Sequence, residues 1–87
     1  MSAYRIIFTR RFHKDYAGLP RNVQDKADNQ IRRLAEGAFT HPSLGFKKMA
    51  GEENVWEARV TINYRMVFMI DERYIVLLKI GTHDILR

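Results

Sequence analysis

The chain has 87 residues, 46% of them hydrophobic, and its 15 Lys and Arg against 10 Asp and Glu give a formal net charge of +5. Such a length holds one domain (1–87) around one modest core, and the apolar share excludes a disordered chain. With no cysteine in the sequence, disulfides, zinc-thiolate sites and thiol catalysis are excluded.

The missing disulfides, the missing apolar leader-like run and the lack of any stretch of membrane-spanning length together favour a cytoplasmic protein with no membrane contact. The positive charge suits RNA, DNA or an acidic protein segment, and it equally suits the ordinary mild basicity of a small soluble domain.

Residues 3–9 (AYRIIFT) are rich in aromatic and β-branched types and predict a strand. Tyr4, Ile6 and Phe8 share one face by the period of two. Ile7 makes the other face apolar as well, which predicts an interior strand or one covered by a helix. Residues 10–19 predict a short helix with Phe12, Tyr16 and Leu19 on one side and His13 on the exposed side. Gly18-Leu19-Pro20 ends it. Pro20 fits the first turn of a second helix running to about Glu36, with Val23, Ala27, Ile31, Leu34 and Ala35 as its buried stripe. Gly37 fits the C-cap. Two helices joined by a Gly/Pro turn predict a helical hairpin.

Residues 38–46 form a connector containing His41 and Pro42, residues 47–50 a short strand, and residues 52–54 a turn. Three stronger strand signals follow. Val55–Thr61 alternates, with Trp56, Ala58 and Val60 on one face and Glu57 and Arg59 on the other. Residues 64–70 are apolar except for Arg65, and residues 74–80 have the most buried character. The short connections at 62–63 and 71–73 predict an antiparallel meander. The expected fold is therefore α+β: an N-terminal strand and a helical hairpin packed on a small antiparallel sheet, whose other face stays partly open.

Arg65 is the most informative residue, because a buried unpaired guanidinium in an apolar strand is strongly destabilising. It has to reach solvent, pair with an acid or sit at a site. A loop over 61–63 would set Arg59 directly opposite it, and two facing cations are unfavourable without an anion between them. A phosphate would satisfy both; the alternative is that Glu57 or another acid neutralises the pair on a solvated face. His83, just beyond the last strand, can exchange protons near neutral pH, or can be a terminal histidine with no task. Lys47 and Lys48 are placed to neutralise RNA phosphates or to remain simply solvated, and Phe46 to stack on a base or to join the core. Three scattered histidines give no metal-ligand spacing, so no metal or other cofactor is expected.

In order and spacing, several segments resemble the RelE/ParE superfamily of type II toxin–antitoxin toxins. They are Tyr4-Arg5-Ile6-Ile7-Phe8-Thr9, then Phe12, Lys14-Asp15 and Leu19, the connector from His41 to Gly51, the run from Val55 to Phe68, and Ile80-Gly81-Thr82-His83-Asp84. The resemblance covers nearly the whole chain and is nearest the YoeB-like and YafQ-like branches. It implies a RelE-like fold similar to microbial ribonucleases, an antitoxin partner that wraps and neutralises the toxin in a hetero-oligomer, and cleavage of messenger RNA on the ribosome. Position by position, it implies that Arg65 binds phosphate, that His83 is the general acid and that Arg59 is a basic neighbour, with attack by the RNA 2′-OH on the adjacent phosphate and no metal required.

The chain departs from those branches at three places. Phe46 stands where the YoeB branch has its glutamate base, Asp84 follows the histidine in place of an aromatic, and Glu57 and Arg59 replace the paired lysines of the RelE branch. The general base is thereby open, with Glu57 the candidate. The same superfamily also implies two alternatives: a ParE-like inhibitor of DNA gyrase and a non-catalytic binding module. Because Arg65 looks like an intruder in its strand, its replacement by Ala is expected to abolish toxicity and leave the fold largely intact.

Overall fold

A computed structural model of the chain describes residues 4–37, 47–48, 54–82 and 84. In chain order the elements are β1 (Arg5–Phe8), α1 (Arg10–Ala17), α2 (Arg21–Ala35), β2 (Lys47–Lys48), β3 (Val55–Arg59), β4 (Tyr64–Asp71) and β5 (Tyr74–Thr82). The five strands form one sheet in the order β1-β5-β4-β3-β2. This is the expected α+β layering of a helical hairpin on a sheet.

The meander is antiparallel throughout, and Val55–Arg59 pairs in register with Met69–Arg65. β1 joins the sheet differently. It runs parallel to β5, from Arg5 opposite Tyr74 to Phe8 opposite Leu77. Parallel partners need a long crossover, and the whole hairpin and meander supply it. β1 is thus an edge strand and not an interior one: Ile7 is 41% and Phe8 55% exposed. The aliphatic run that looked doubly buried has only Ile6 and the preceding Tyr4 packed against the core.

Both helices have readable boundaries. The Thr9 side chain accepts from the Phe12 amide at 3.1 Å and so caps α1. At the end of α2, Gly37 has φ 81 and its amide donates to the Leu34 carbonyl at 2.9 Å. That left-handed conformation suits glycine, as its sequence position predicted. Two tight turns impose positive φ on side-chain-bearing residues: Asn54 (φ 61) before β3, and Glu72 (φ 50) between β4 and β5.

The main core lies between the hairpin and the inner sheet face. Phe12, Val23, Ala27 and Leu34 meet Ala58, Val60, Met66, Phe68, Ile75, Leu77 and Ile80. The buried stripe of α2 includes one polar residue that hydropathy alone did not flag. Gln30 is 7% exposed, and its amide donates to the Arg59 carbonyl at 2.6 Å, so its burial is compensated.

A second, smaller apolar cluster lies on the outer face, where Met69 and Leu78 pack against Val55 and Val67. It depends on a register shift: Val67 pairs with Lys79 but Phe68 with Leu77, so Leu78 is the extra residue of a bulge in β5. The bulge breaks strict alternation and turns Leu78 outward.

Candidate functional site

The outer face of the meander carries the charged residues that the sequence singled out. Cross-strand partners share a face of a sheet. Arg59 faces Arg65 across β3 and β4, and Arg65 in turn faces Gly81 on β5. One step along, Glu57 is flanked in register by Lys47 of β2 and Val67 of β4, and Val67 faces Lys79. The two arginines are therefore opposed, as a loop over 61–63 required.

Arg65 is far more engaged than an intruder on a solvated face. Its Nε lies 3.4 Å from Glu57 Oε1, the diagonal neighbour on β3, and the two side chains are 22% and 13% exposed. Its Nη1 donates to the Thr61 carbonyl at 3.1 Å and approaches those of Ile62 and Tyr64 at 3.4 Å. The guanidinium thus ties off the β3–β4 turn, which the Thr61 hydroxyl also closes by accepting from the Tyr64 amide at 3.1 Å. To the expectation that Arg65→Ala leaves the fold largely intact, these contacts add a stability cost. Removing the guanidinium strands a half-buried carboxylate and frees a turn.

Arg59 is exposed, and among the described residues it has no acidic partner. Glu57 neutralises Arg65 and leaves Arg59 as excess charge. Around Glu57 the face carries Arg59, Arg65 and Lys79, an arrangement that attracts anions, while Asp71 lies at the far end of β4. Glycine opposite Arg65 leaves that flank of the guanidinium without a side chain.

Two open grooves lie at the end of the sheet where Tyr64 and Thr82 face each other. One, of about 400 Å³, is lined by Ile62, Asn63, Tyr64, Thr82 and Asp84. The other, of about 320 Å³, lies where Lys14, Asp15 and Leu19 of the hairpin approach Tyr64 and Gly81. A third, mostly apolar cleft lies away from the charged face, between Phe8, Phe12, Tyr16 and Ile31.

Of the residues expected at the site, Arg65, Arg59 and Glu57 come together. Lys47 and Lys48 occupy β2 at the register positions beside Glu57 and Trp56. His83 and Phe46 lie outside the described residues, as do His41 and the rest of the connector. Among the described residues no three His, Asp or Glu gather as a metal site. The sequence reading missed the turn carbonyls that hold Arg65 and the Gln30 amide behind Arg59. Backbone acceptors leave no trace in composition. Gln30, by contrast, was visible in principle as the polar member of a 23-27-30-34 stripe.

The protein is thus a helical hairpin on one five-stranded sheet with an open cationic face. Residues 6–86 match the family model described as ParE toxin of type II toxin–antitoxin system, parDE, and the chain belongs to that family. No curated protein matches the chain.

Among solved structures, a chain of the Escherichia coli DinJ–YafQ toxin–antitoxin complex superposes with TM-score 0.85 at 15% identity, covering 97% of both chains. A chain of the RelB–RelE antitoxin–toxin complex from Methanococcus jannaschii gives 0.79 at 19%, covering 92% of this chain and 93% of that one. The YoeB dimer of Staphylococcus aureus gives 0.79 at 14%, covering 94% and 99%. At these identities the likeness is one of fold.

Proposed function

We propose that this toxin is an endoribonuclease that cuts messenger RNA on the ribosome in the cytoplasm, using its own side chains, and that an antitoxin protein neutralises it in a hetero-oligomer. The observation that carries the reading is the opposed Arg59–Arg65 pair on the open sheet face, with Glu57 between the strands. A phosphodiester seated there meets two cations and one carboxylate.

In the reaction the 2′-oxygen attacks the adjacent phosphorus and the 5′-oxygen leaves, giving a 2′,3′-cyclic phosphate and a free 5′-hydroxyl. Glu57 takes the 2′-hydroxyl proton, and His83, the residue after Thr82 in the sequence, donates one to the leaving oxygen. Arg65 and Arg59 hold the negative charge that builds on the phosphorane. The Glu57–Arg65 ion pair sets the resting state, and substrate phosphate competes with Glu57 for the guanidinium. Lys47, at the register position beside Glu57, contacts RNA next to the cut, and Phe46 stacks on a base. Several solved relatives of this fold are toxin–antitoxin complexes, which supports a protein partner here, and the net positive charge favours an acidic one.

A second reading has one observation in its favour: the matching family model is named for ParE. On that reading the chain inhibits DNA gyrase by binding it, and His83 has no task. Induction of the chain in cells, with primer extension on abundant messages beside a plasmid-supercoiling assay, separates the two. Cuts at defined codon positions that vanish with His83→Gln are expected. Intact messages with altered plasmid topology would instead establish gyrase as the target. No effect in either assay would leave a non-catalytic binding module.

A further inference from the structure

The Lys14-Asp15 pair of α1 has no part in the chemistry above, yet the Asp15 carboxylate sits against the strand that completes the site. β1 ends at Phe8, opposite Leu77, and among the described residues no strand pairs with the outer edge of β5 beyond that point. Helix α1 takes over. At its first end the Thr9 hydroxyl donates to the Leu77 carbonyl at 2.7 Å and to the Leu78 carbonyl at 3.2 Å. One residue pair further along β5, the Ile80 amide donates to Asp15 Oδ2 at 3.3 Å. The same carboxylate is held by Arg11, whose Nε lies 2.9 Å from Oδ2 and 3.1 Å from Oδ1, and the Asp15 side chain is only 17% exposed. Ile80 precedes Gly81, the residue facing Arg65.

We infer that Asp15 is a positioning residue for RNA cleavage: through the Ile80 amide it fixes the end of β5 against Arg65. The assignment rests on the nuclease reading. A free strand end frays, and here fraying would move Gly81 and the chain that follows it away from the arginine pair. A carboxylate is the fitting acceptor, since a charge-assisted bond to an amide is stronger than a neutral one. Arg11 holds the carboxylate in place from the solvent side.

The test compares wild type, Asp15→Ala and Asp15→Asn by amide hydrogen exchange and by cleavage of a ribosome-bound message. Asp15→Ala is expected to speed exchange at Ile80–Thr82 by about fivefold or more, with the amides of β4 unchanged. It should lower kcat by about tenfold or more at an unchanged KM. Asp15→Asn keeps an acceptor oxygen and should restore most of the rate. If the alanine variant does not fold, Asp15→Glu, which displaces the carboxylate by one methylene, takes its place with the same expectations.

Unchanged exchange at Ile80, a loss confined to KM, or faster exchange across the whole sheet would each overturn the assignment. A wild-type chain that cuts no message sinks the nuclease reading and this assignment with it, and the wild-type reaction distinguishes that outcome from failure of the assignment alone.

Discussion

Two polar side chains define how single residues matter in this toxin. Arg65 holds the turn and, in the proposed reaction, the phosphate, so on that reading its loss reads out twice. Arg65→Ala is expected to lower unfolding stability by about 1–2 kcal/mol in urea titration, because Glu57 loses its partner and the turn carbonyls their donor. The pair is partly solvent-screened, so a double-mutant cycle with Glu57→Gln should return a coupling of only about 0.5–1 kcal/mol. An unchanged urea midpoint in Arg65→Ala would show that the guanidinium serves chemistry alone.

Tyr16 provides the pH-sensitive counterpart. Its hydroxyl donates to Asp28 Oδ1 at 2.8 Å. That bond first, then burial and the charges of Asp28 and Asp25, raise the phenol pKa above 10.0, with Arg21 opposing. The folded state therefore holds the proton more tightly than the unfolded chain does. The contribution is whole below pH 10 and is lost as pH climbs through the raised value. Tyr16→Phe should lower stability at pH 7, where the contribution is whole, and remove the alkaline loss from a stability-versus-pH curve, so that the two proteins converge above the raised value.

At the scale of elements, the hairpin is fixed less by helix propensity than by what its ends bind. Thr9 caps α1 and, through the same hydroxyl, reaches the Leu77 carbonyl of β5. Thr9→Ala should cost about 1–2 kcal/mol, toward the upper end of a helix cap, because a tertiary bond goes with it. Gly37→Ala should cost about 1 kcal/mol from its left-handed backbone alone. Thermal or urea unfolding checks both, and a Thr9→Ser variant near wild type would tie the first loss to the hydroxyl. If Thr9→Ala cost no more than a few tenths of a kcal/mol, the link between cap and strand would carry no weight. The bulge at Leu78 is the third device at this scale, since it supplies the outer face with the leucine of its small apolar cluster.

For the whole molecule, the sheet divides two tasks between its faces. The inner face and the hairpin hold the main core, and the outer face holds Arg59, Arg65 and Lys79 around Glu57. Binding of a single-stranded message to such a face should weaken with salt. Arg59→Ala should reduce the slope of log affinity against log salt by about 0.7, the value for one phosphate contact on a single strand. Fluorescence anisotropy with a labelled oligoribonucleotide at several salt concentrations measures it. An unaltered slope would place Arg59 off the RNA path.

By itself the sequence determined the element order, the helical stripe of α2, the glycine at Gly37 and the opposition of Arg59 to Arg65. Each follows from a short-range rule: a period of 3.6 or 2, a cap, or a loop length that sets a hairpin register. It also placed the chain near its family, through motifs spread over the whole length.

Tertiary structure alone decided three things. It set β1 at the edge, parallel to β5, because pairing between strands nearly 70 residues apart leaves no local pattern. It chose Glu57 as the partner of Arg65, because a diagonal ion pair depends on side-chain reach across two strands. And it brought Asp15 to the Ile80 amide, because a helix stands in for a missing strand only once the sheet is assembled, and no periodicity along the chain records which backbone amide that leaves to be satisfied.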